Sequence, residues 1–206
     1  MTMRDTINFL LCGVGGQGTI LASDVLVNVG LAAGFQAKQA EVHGMSQRGG
    51  SVTSHVRWGK VIHSPLIGMG EVDVLLAFEK LEALRSLNTL HTGALAIINT
   101  QVIIPLTVTS GNQVYPEDHA IREAFAKVTP QAEFIDGEGM AASLGNPRVA
   151  NVVLLGALSA LLERDGLAGP NLTAETWLKI ITERVPQKHI ELNRKAFQAG
   201  RDAVVH

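Results

Sequence analysis

The 206-residue sequence holds one cysteine, Cys12. A lone thiol excludes an internal disulfide framework and any all-cysteine cluster held by this chain alone, and it makes a reducing, cytoplasmic setting the default. Tryptophan and tyrosine are almost as scarce. Trp58, Tyr115 and Trp177 are the full set, too few for the stacked aromatic platforms that single-stranded nucleic acids use. Neither sign of charge is in excess: the formal net charge is −2, which argues against non-specific nucleic-acid binding. No apolar run approaches the roughly 18 residues of a membrane span, so none is expected. Met1-Thr2-Met3-Arg4-Asp5 carries no signal-peptide core ahead of the first strand. Also missing are C-x-x-C, H-E-x-x-H, a lysine at the Walker position and a G-x-S-x-G nucleophile elbow.

What is present is an ordinary globular composition, 46% hydrophobic and 17% charged, long enough for one sizeable α/β domain. It is organised around Ile7-Asn8-Phe9-Leu10-Leu11-Cys12-Gly13-Val14-Gly15-Gly16-Gln17-Gly18. This stretch predicts a buried parallel strand, a glycine turn and the start of a helix. Gly13, Gly15 and Gly18 keep the G-x-G-x-x-G spacing, with Gly16 extra. That spacing permits a tight turn, close backbone approach and helix-on-strand packing. The amides at the helix start, with the helix dipole, favour an anion. Alone the motif also fits a βα turn with no ligand.

The helix is expected from Gly18 to Ala33, apolar almost all round, with Gly34 closing it. A second strand, Phe35–Ala40, puts Glu41 at its end, about twenty residues past the glycines, where a dinucleotide fold holds its ribose-binding acid. The next stretch departs from such a fold. Val42-His43-Gly44-Met45-Ser46-Gln47-Arg48-Gly49-Gly50 is polar and punctuated by glycine. It leaves the sheet edge at which α/β proteins place ligands, and it sets an imidazole, a hydroxyl, an amide and a guanidinium within six residues. His43, Gly44, Ser46, Gln47, Arg48, Gly49 and Gly50 are therefore candidate contacts, alongside Gly13, Gly15, Gly16, Gln17, Gly18 and Glu41.

Ser51–Trp58 alternates as a strand, and Gly59-Lys60 suits a two-residue II′ turn returning through Val61-Ile62-His63. Buried strands are expected at Val72–Phe78 and Ala94–Ile98, with a helix Glu79–Leu90 between them whose Leu81, Leu84 and Leu87 point inward. Pro116 opens a helix to about Lys127; Ala132–Ile135 is a short strand; Asp136-Gly137-Glu138-Gly139 reads as an acidic turn. From Asn146-Pro147 the chain turns helical: a very apolar helix, another from Thr173 to about Val185, and a last one from Pro186 through Phe197. The expectation is one domain over 1–206, a three-layer α/β/α Rossmann-like sheet, mostly parallel with an antiparallel hairpin, and a helical C-terminal cap over about 146–206. His43, His55 and His63 lack a carboxylate or cysteine at ligand spacing, so no metal site is assigned. Cys12 is read as a small core residue, with a reactive thiol left open by its place near a helix N-terminus, which lowers a thiol pKa.

Several of these residues carry a family resemblance. Gly13-Val14-Gly15-Gly16-Gln17-Gly18, Glu41 through Ser51, His63-Ser64-Pro65 and Asp73-Val74-Leu75-Leu76-Ala77 closely resemble the gamma-type subunits of 2-oxoacid:ferredoxin oxidoreductases. The form His-Gly-Met-x-Gln-Arg-Gly-Gly is most similar to the beta subunit of indolepyruvate oxidoreductases. Asn146-Pro147-Arg148, Asn151-Val152 and Leu155-Gly156-Ala157 are similar to the same family's later helix, so the likeness covers about 7–160. The resemblance implies a Rossmann-like subunit without its own cofactor. Thiamine diphosphate and iron–sulfur clusters would sit in the partner subunit, and ferredoxin would accept the electrons from oxidative decarboxylation of a 2-oxoacid to an acyl-CoA. It assigns no catalytic residue here; the two loops are carried over as contact surfaces. Two other readings stay open on the residues alone: an NAD(P)-binding Rossmann oxidoreductase, supported by Glu41, and a module binding a small anion at the glycine turn.

Overall fold

Six strands form one sheet in the computed structural model, which describes residues 6–43, 50–111, 114–167, 169 and 171–204, with the backbone alone at His43, Leu106 and Thr107. The strands are β1 (Thr6–Val14), β2 (Gln36–His43), β3 (Ser51–Gly59), β4 (Val72–Ala77), β5 (Leu90–Asn99) and β6 (Ala132–Ile135). Their order across the sheet is β2-β3-β1-β4-β5-β6. β3 runs antiparallel to both of its neighbours, and the remaining pairs are parallel. The fold class is thus the expected α/β one, mostly parallel with an antiparallel hairpin.

The hairpin itself is built differently from the expectation. β3 continues through Gly59, and Val61-Ile62-His63 is not a strand. β3 folds back on β2 instead, with Glu41 opposite Ser54 and Gln36 opposite Gly59, so the connection is the stretch after His43. The reason lies in packing. Trp58 is fully buried, its ring centroid 4.4 Å from that of Phe9 at a tilt of 54° and stacked 5.9 Å from that of Phe35, and it donates its indole N–H to the Leu26 carbonyl at 3.1 Å. Burying so large a ring fixes the register of β3 between β1 and β2, and the local Gly-Lys turn signal has no comparable weight.

Helices cover both faces. Alternate residues of β1 divide between two cores: Ile7, Phe9 and Leu11 on one side, Leu10 and Cys12 on the other. The first core is closed by α1 (Thr19–Ala32) and the C-terminal helices. The second is closed by α2 (Lys80–Arg85) and by residues Ile121 and Phe125, which lie beyond the short α3 (Leu106–Thr109) on α4 (Asp118–Ala126). α5 (Gly137–Ser143) follows β6, then α6 (Ala150–Arg164), α7 (Ala174–Arg184) and α8 (Ile190–Asp202). α6 is the central helix of the first face: every residue from Asn151 to Leu162 is buried.

Two expected elements come out otherwise. The helix expected over Glu79–Leu90 stops at Arg85, tightens into a 3-10 turn at Leu87–Thr89, and gives way to β5 at Leu90. Its fully buried residues are Lys80, Glu82 and Ala83, while Leu84 and Leu87, partly buried, pack against the second core as expected. The acidic turn at Asp136 is the start of α5, where the Asp136 carboxylate accepts from the Gly139 amide at 2.8 Å. Among the described residues no helix is long and apolar enough to cross a membrane.

Candidate functional site

The C-terminal ends of the parallel strands gather the features that carry chemistry. Gly13 and Val14, both buried, end β1. A Cβ added there would lie 2.7 Å from Gln17 Oε1 and 3.0 Å from Phe78 Cβ, so glycine is required by close approach. Gly16 and Gly18 have φ of +102° and +81°, a region that only glycine enters cheaply. These two requirements account for most of the motif without a ligand.

Gln17 fills the inside of the turn. Its Oε1 accepts from the Val14 amide at 2.7 Å, and its Nε2 donates to the Phe78 carbonyl at 2.8 Å and to Gln101 Oε1. Gln101 in turn donates to Glu138 Oε1. Asn99 closes the set, donating to the Phe78 carbonyl at 3.1 Å and accepting from the Gly137 amide at 3.0 Å. Side-chain amides therefore stitch β1, β4, β5 and α5 together along the sheet edge. The amides of Val14, Gly15 and Gln17 are all engaged within the protein, so the turn itself is less open to an anion than its glycines suggest.

The second motif meets the first at Gly50, whose carbonyl accepts from the Gly15 amide at 3.0 Å. Ser51 then donates to Glu82 Oε2 at 2.6 Å, and Arg85 holds the other carboxylate oxygen. His43, opposite Val52, marks the other end of the connection. Gly44, Ser46, Gln47, Arg48 and Gly49 lie outside the described residues.

Glu41 is not where the spacing puts it. It lies inside β2, opposite Ser54, and Ser54 lies opposite Leu11. β3 thus separates Glu41 from β1. Two strand spacings, about 9–10 Å, stand between it and the start of the glycine turn, and it is level with the body of β1 rather than with Gly15. The structure does not bring Glu41 together with Gly13, Gly15 and Gly18.

Beneath the site lies a buried polar group. Glu79 is 1% exposed; its carboxylate caps α2 through the Glu82 amide at 2.9 Å and accepts from Tyr115 Oη at 2.6 Å and the Ile103 amide at 3.2 Å. Burial, then the bond to Glu79, pushes the Tyr115 phenol up. Burial likewise pushes the Cys12 thiol up to about 12, so Cys12 is inert. His55 accepts from the Ile67 amide at 3.2 Å, and burial lowers its pKa. Among the described residues no three metal-ligating side chains come together.

The sequence missed Phe78, Asn99, Gln101, Glu138, Arg148 and Asn151, which with the glycine turn and α6 line a cavity of about 320 Å³. The available signals were Asn99 at a strand end and Asn146-Pro147 at a helix start, where Asn146 caps the turn through the Arg148 amide at 3.0 Å.

Comparison with known proteins adds a family to this geometry. A family model described as pyruvate ferredoxin/flavodoxin oxidoreductase matches residues 8–203. Indolepyruvate oxidoreductase subunit IorB of Pyrococcus horikoshii is 38% identical over 195 residues, 94% of this chain and 93% of the relative. The subunit of that name from Archaeoglobus fulgidus is 38% identical over 194 residues, again 94% and 93%. Among solved structures, the gamma subunit of a keto/oxoacid ferredoxin oxidoreductase from Geobacter sulfurreducens superposes with a TM-score of 0.68 at 27% identity, covering 96% of this chain and 97% of that one.

Proposed function

The chain belongs to the pyruvate ferredoxin/flavodoxin oxidoreductase family, and from that premise we propose that it is the small, gamma-type subunit of a thiamine diphosphate-dependent 2-oxoacid:ferredoxin oxidoreductase. Indolepyruvate is its favoured 2-oxoacid. The observation that carries this reading is near-full-length identity of 38% to an indolepyruvate oxidoreductase subunit. The assembly is cytoplasmic, and its product is an acyl-CoA.

The residues of this chain fit a supporting role. Oxidative decarboxylation leaves electron density on the former carbonyl carbon and delivers electrons singly, and side chains supply neither the electron sink nor the one-electron carrier. An iron–sulfur cluster takes several thiolates, and the sole thiol here is fully buried with its pKa pushed up to about 12. The chain does not fit such a group, so the cofactors belong to the partner subunit, and ferredoxin receives the electrons there.

What this chain contributes is a shaped edge. The Gly15–Gly50 bond and the Ser51–Glu82 bond hold one end of the His43–Gly50 connection against the glycine turn. Gly13, Gly15, Gly16, Gln17 and Gly18, with His43, Gly44, Ser46, Gln47, Arg48, Gly49 and Gly50, form the docking surface; Glu41 stands behind it on β2.

Reconstitution tests this. The purified chain should be colourless and inactive with 2-oxoacids. Mixed with a cofactor-bearing subunit from the same source, it should restore 2-oxoacid- and CoA-dependent reduction of ferredoxin. An iron–sulfur absorption band in stoichiometric amount on this chain alone, or full activity of the partner without it, overturns the reading.

A further inference from the structure

Residues 60–71 join β3 to β4 without helix or strand, and side chains of the sheet hold them down. His55 and Arg57 alternate along β3 with Val56 and Trp58, which enter the first core, so they point to the opposite face. There Arg57 donates to the Ser64 and Leu66 carbonyls at 3.1 and 3.2 Å, and His55 Nδ1 accepts from the Ile67 amide at 3.2 Å. Gln36 and Lys38 of β2 bond to the Ile62 amide and the His63 carbonyl, and Asn8 of β1 bonds to the Glu71 carbonyl. The segment is a strap clipped to three strands.

One clip differs from the others. Amides do not ionise, and ammonium and guanidinium groups keep their charge, across the range in which an imidazole takes up a proton. Accepting at Nδ1 requires the neutral His55 ring with its proton on Nε2. A second proton has to enter at Nδ1, where it faces the Ile67 N–H, donor against donor. The Ile67 side chain packs against the second core, so this clip holds the inward residue of the strap, while Leu66 and Met69 stay exposed.

The charged groups on this face offer an imidazolium no replacement bond. Arg57 on β3 and Lys38, opposite it on β2, repel a cation. The Cys12 thiol of β1 is neutral. Asp73 on β4 accepts from the Asn8 amide at 2.8 Å and pairs with His91, and Glu71 in the strap accepts from the Gly68 amide at 3.1 Å. His63, also in the strap, is exposed and adds no negative charge. Burial lowers the His55 pKa from its ordinary value of 6.5.

We propose that His55 is a proton-operated latch: when its ring takes up a proton, the Ile67 amide is expelled and the middle of the strap lifts from β3. The released ring binds a proton near 6.5, whereas the latched ring resists it. The closed strap is therefore fully held above about pH 6.5 and loosens as pH falls through the lowered value. The latch is made of this chain's own groups and does not depend on which complex the chain joins.

Amide hydrogen exchange of the full chain tests it, followed by NMR from about pH 8 to about pH 5 and corrected for the intrinsic rate at each pH. The imidazole nitrogen resonances report the charge of each histidine in the same samples. The Ile67 amide should lose protection at least about tenfold, in step with protonation of His55. His55→Gln cannot ionise and should show no such step, although Glu71 and His63 remain in it. Should that variant not fold, the wild-type curve still decides, because the step must follow the His55 resonances and not those of His63. Protection of Ile67 that stays unchanged as long as the chain is folded, that follows His63, or that falls equally in His55→Gln, overturns the proposal.

Discussion

The amide of Gly15 donates to the carbonyl of Gly50 at 3.0 Å, and that bond joins the two glycine-bearing motifs of the chain. One ends β1 and the other begins β3, and the antiparallel pairing of these strands, with Val14 opposite Ser51, brings them level. The motifs that look like separate signals in the sequence are thus one edge of one sheet. The Ser51–Glu82 bond of 2.6 Å extends the edge to α2.

Arg48 sits in the connection this edge anchors, two residues before Gly50. As a docking residue it presents a planar fork of donors to a carboxylate or carbonyl of the partner. Arg48→Ala should leave the melting temperature of the isolated chain unchanged and weaken assembly at least about tenfold, as removal of a desolvated arginine contact does. Arg48→Lys should recover little. Activity titration of each variant against the partner subunit is the check; wild-type titration curves for both variants would exclude Arg48 from the interface.

NAD should not bind. A dinucleotide site needs its ribose-binding acid beside the glycine turn, and here β3 lies between β1 and β2, with Ser54 separating Glu41 from Leu11. Calorimetry with NAD at millimolar concentration should give no binding heat, and Glu41→Ala should change nothing. Micromolar affinity abolished by Glu41→Ala would require a different site geometry from the one described.

That example shows where the sequence was legible and where it was not. The spacing from Gly18 to Glu41 counts residues along the chain, whereas ribose recognition depends on strand order across the sheet, which no local spacing encodes. The strands themselves are plain, because β4 and the latter half of β5 are buried on both faces and so are apolar but for Asp73 and the terminal Asn99. In the helix after β4 the inward leucines Leu84 and Leu87 are legible and the buried acids are not. Periodicity treats charged residues as outward, yet Glu79 and Glu82 point inward with their oxygens bonded to Tyr115, Ile103, Ser51 and Arg85. The glycine turn was found from its spacing; the amide chain Gln17–Gln101–Glu138 that fills it unites residues from three separate segments.

Cys12 predicts an alkaline instability. In the unfolded chain its thiol ionises near 9.0, while burial holds it near 12 in the fold. Between those values the unfolded state releases a proton that the native state retains, so stability is intact below pH 9 and falls as pH rises toward 12. Tyr115, also raised, adds to the fall. Urea unfolding from pH 8 to 10.5 should show that decline, and Cys12→Ala should flatten it. Iodoacetamide at pH 8 should leave native Cys12 unmodified and label it in urea; rapid labelling of the native protein would contradict the burial of the thiol.

The contact of α6 with α8 gives the sharpest test of the packing. Both helices carry a buried glycine where they meet. A Cβ on Gly156 would lie 2.0 Å from the Phe197 carbonyl oxygen, and one on Gly200 would lie 1.8 Å from that of Val153 and 3.0 Å from the Ala157 amide nitrogen. Taken as an isolated helix, α8 gains about 1 kcal/mol from Gly200→Ala, because alanine loses less backbone entropy. The packing opposes that gain. The obstructing atoms are backbone on a helix buried from Asn151 to Leu162, and no rotamer change moves them aside. The helices must separate, opening the contacts of Phe197 and Trp177, whose rings lie 6.4 Å apart. Overpacking of this kind costs about 1–3 kcal/mol and more when backbone must shift, so the net change should be a loss of at least about 2 kcal/mol. Gly166→Ala is the comparison: Gly166 has φ of +62° with nothing within 4 Å of the added Cβ, so strain alone acts, and the loss should be about 1–2 kcal/mol. Doubling the difference with Gly156→Ala/Gly200→Ala should add less than the sum of the two single losses, since one separation of α6 from α8 relieves both clashes. Urea denaturation of the four variants, Gly156→Ala alone included, measures this, and a Gly200→Ala variant as stable as the wild type would show that the two helices do not meet backbone to backbone.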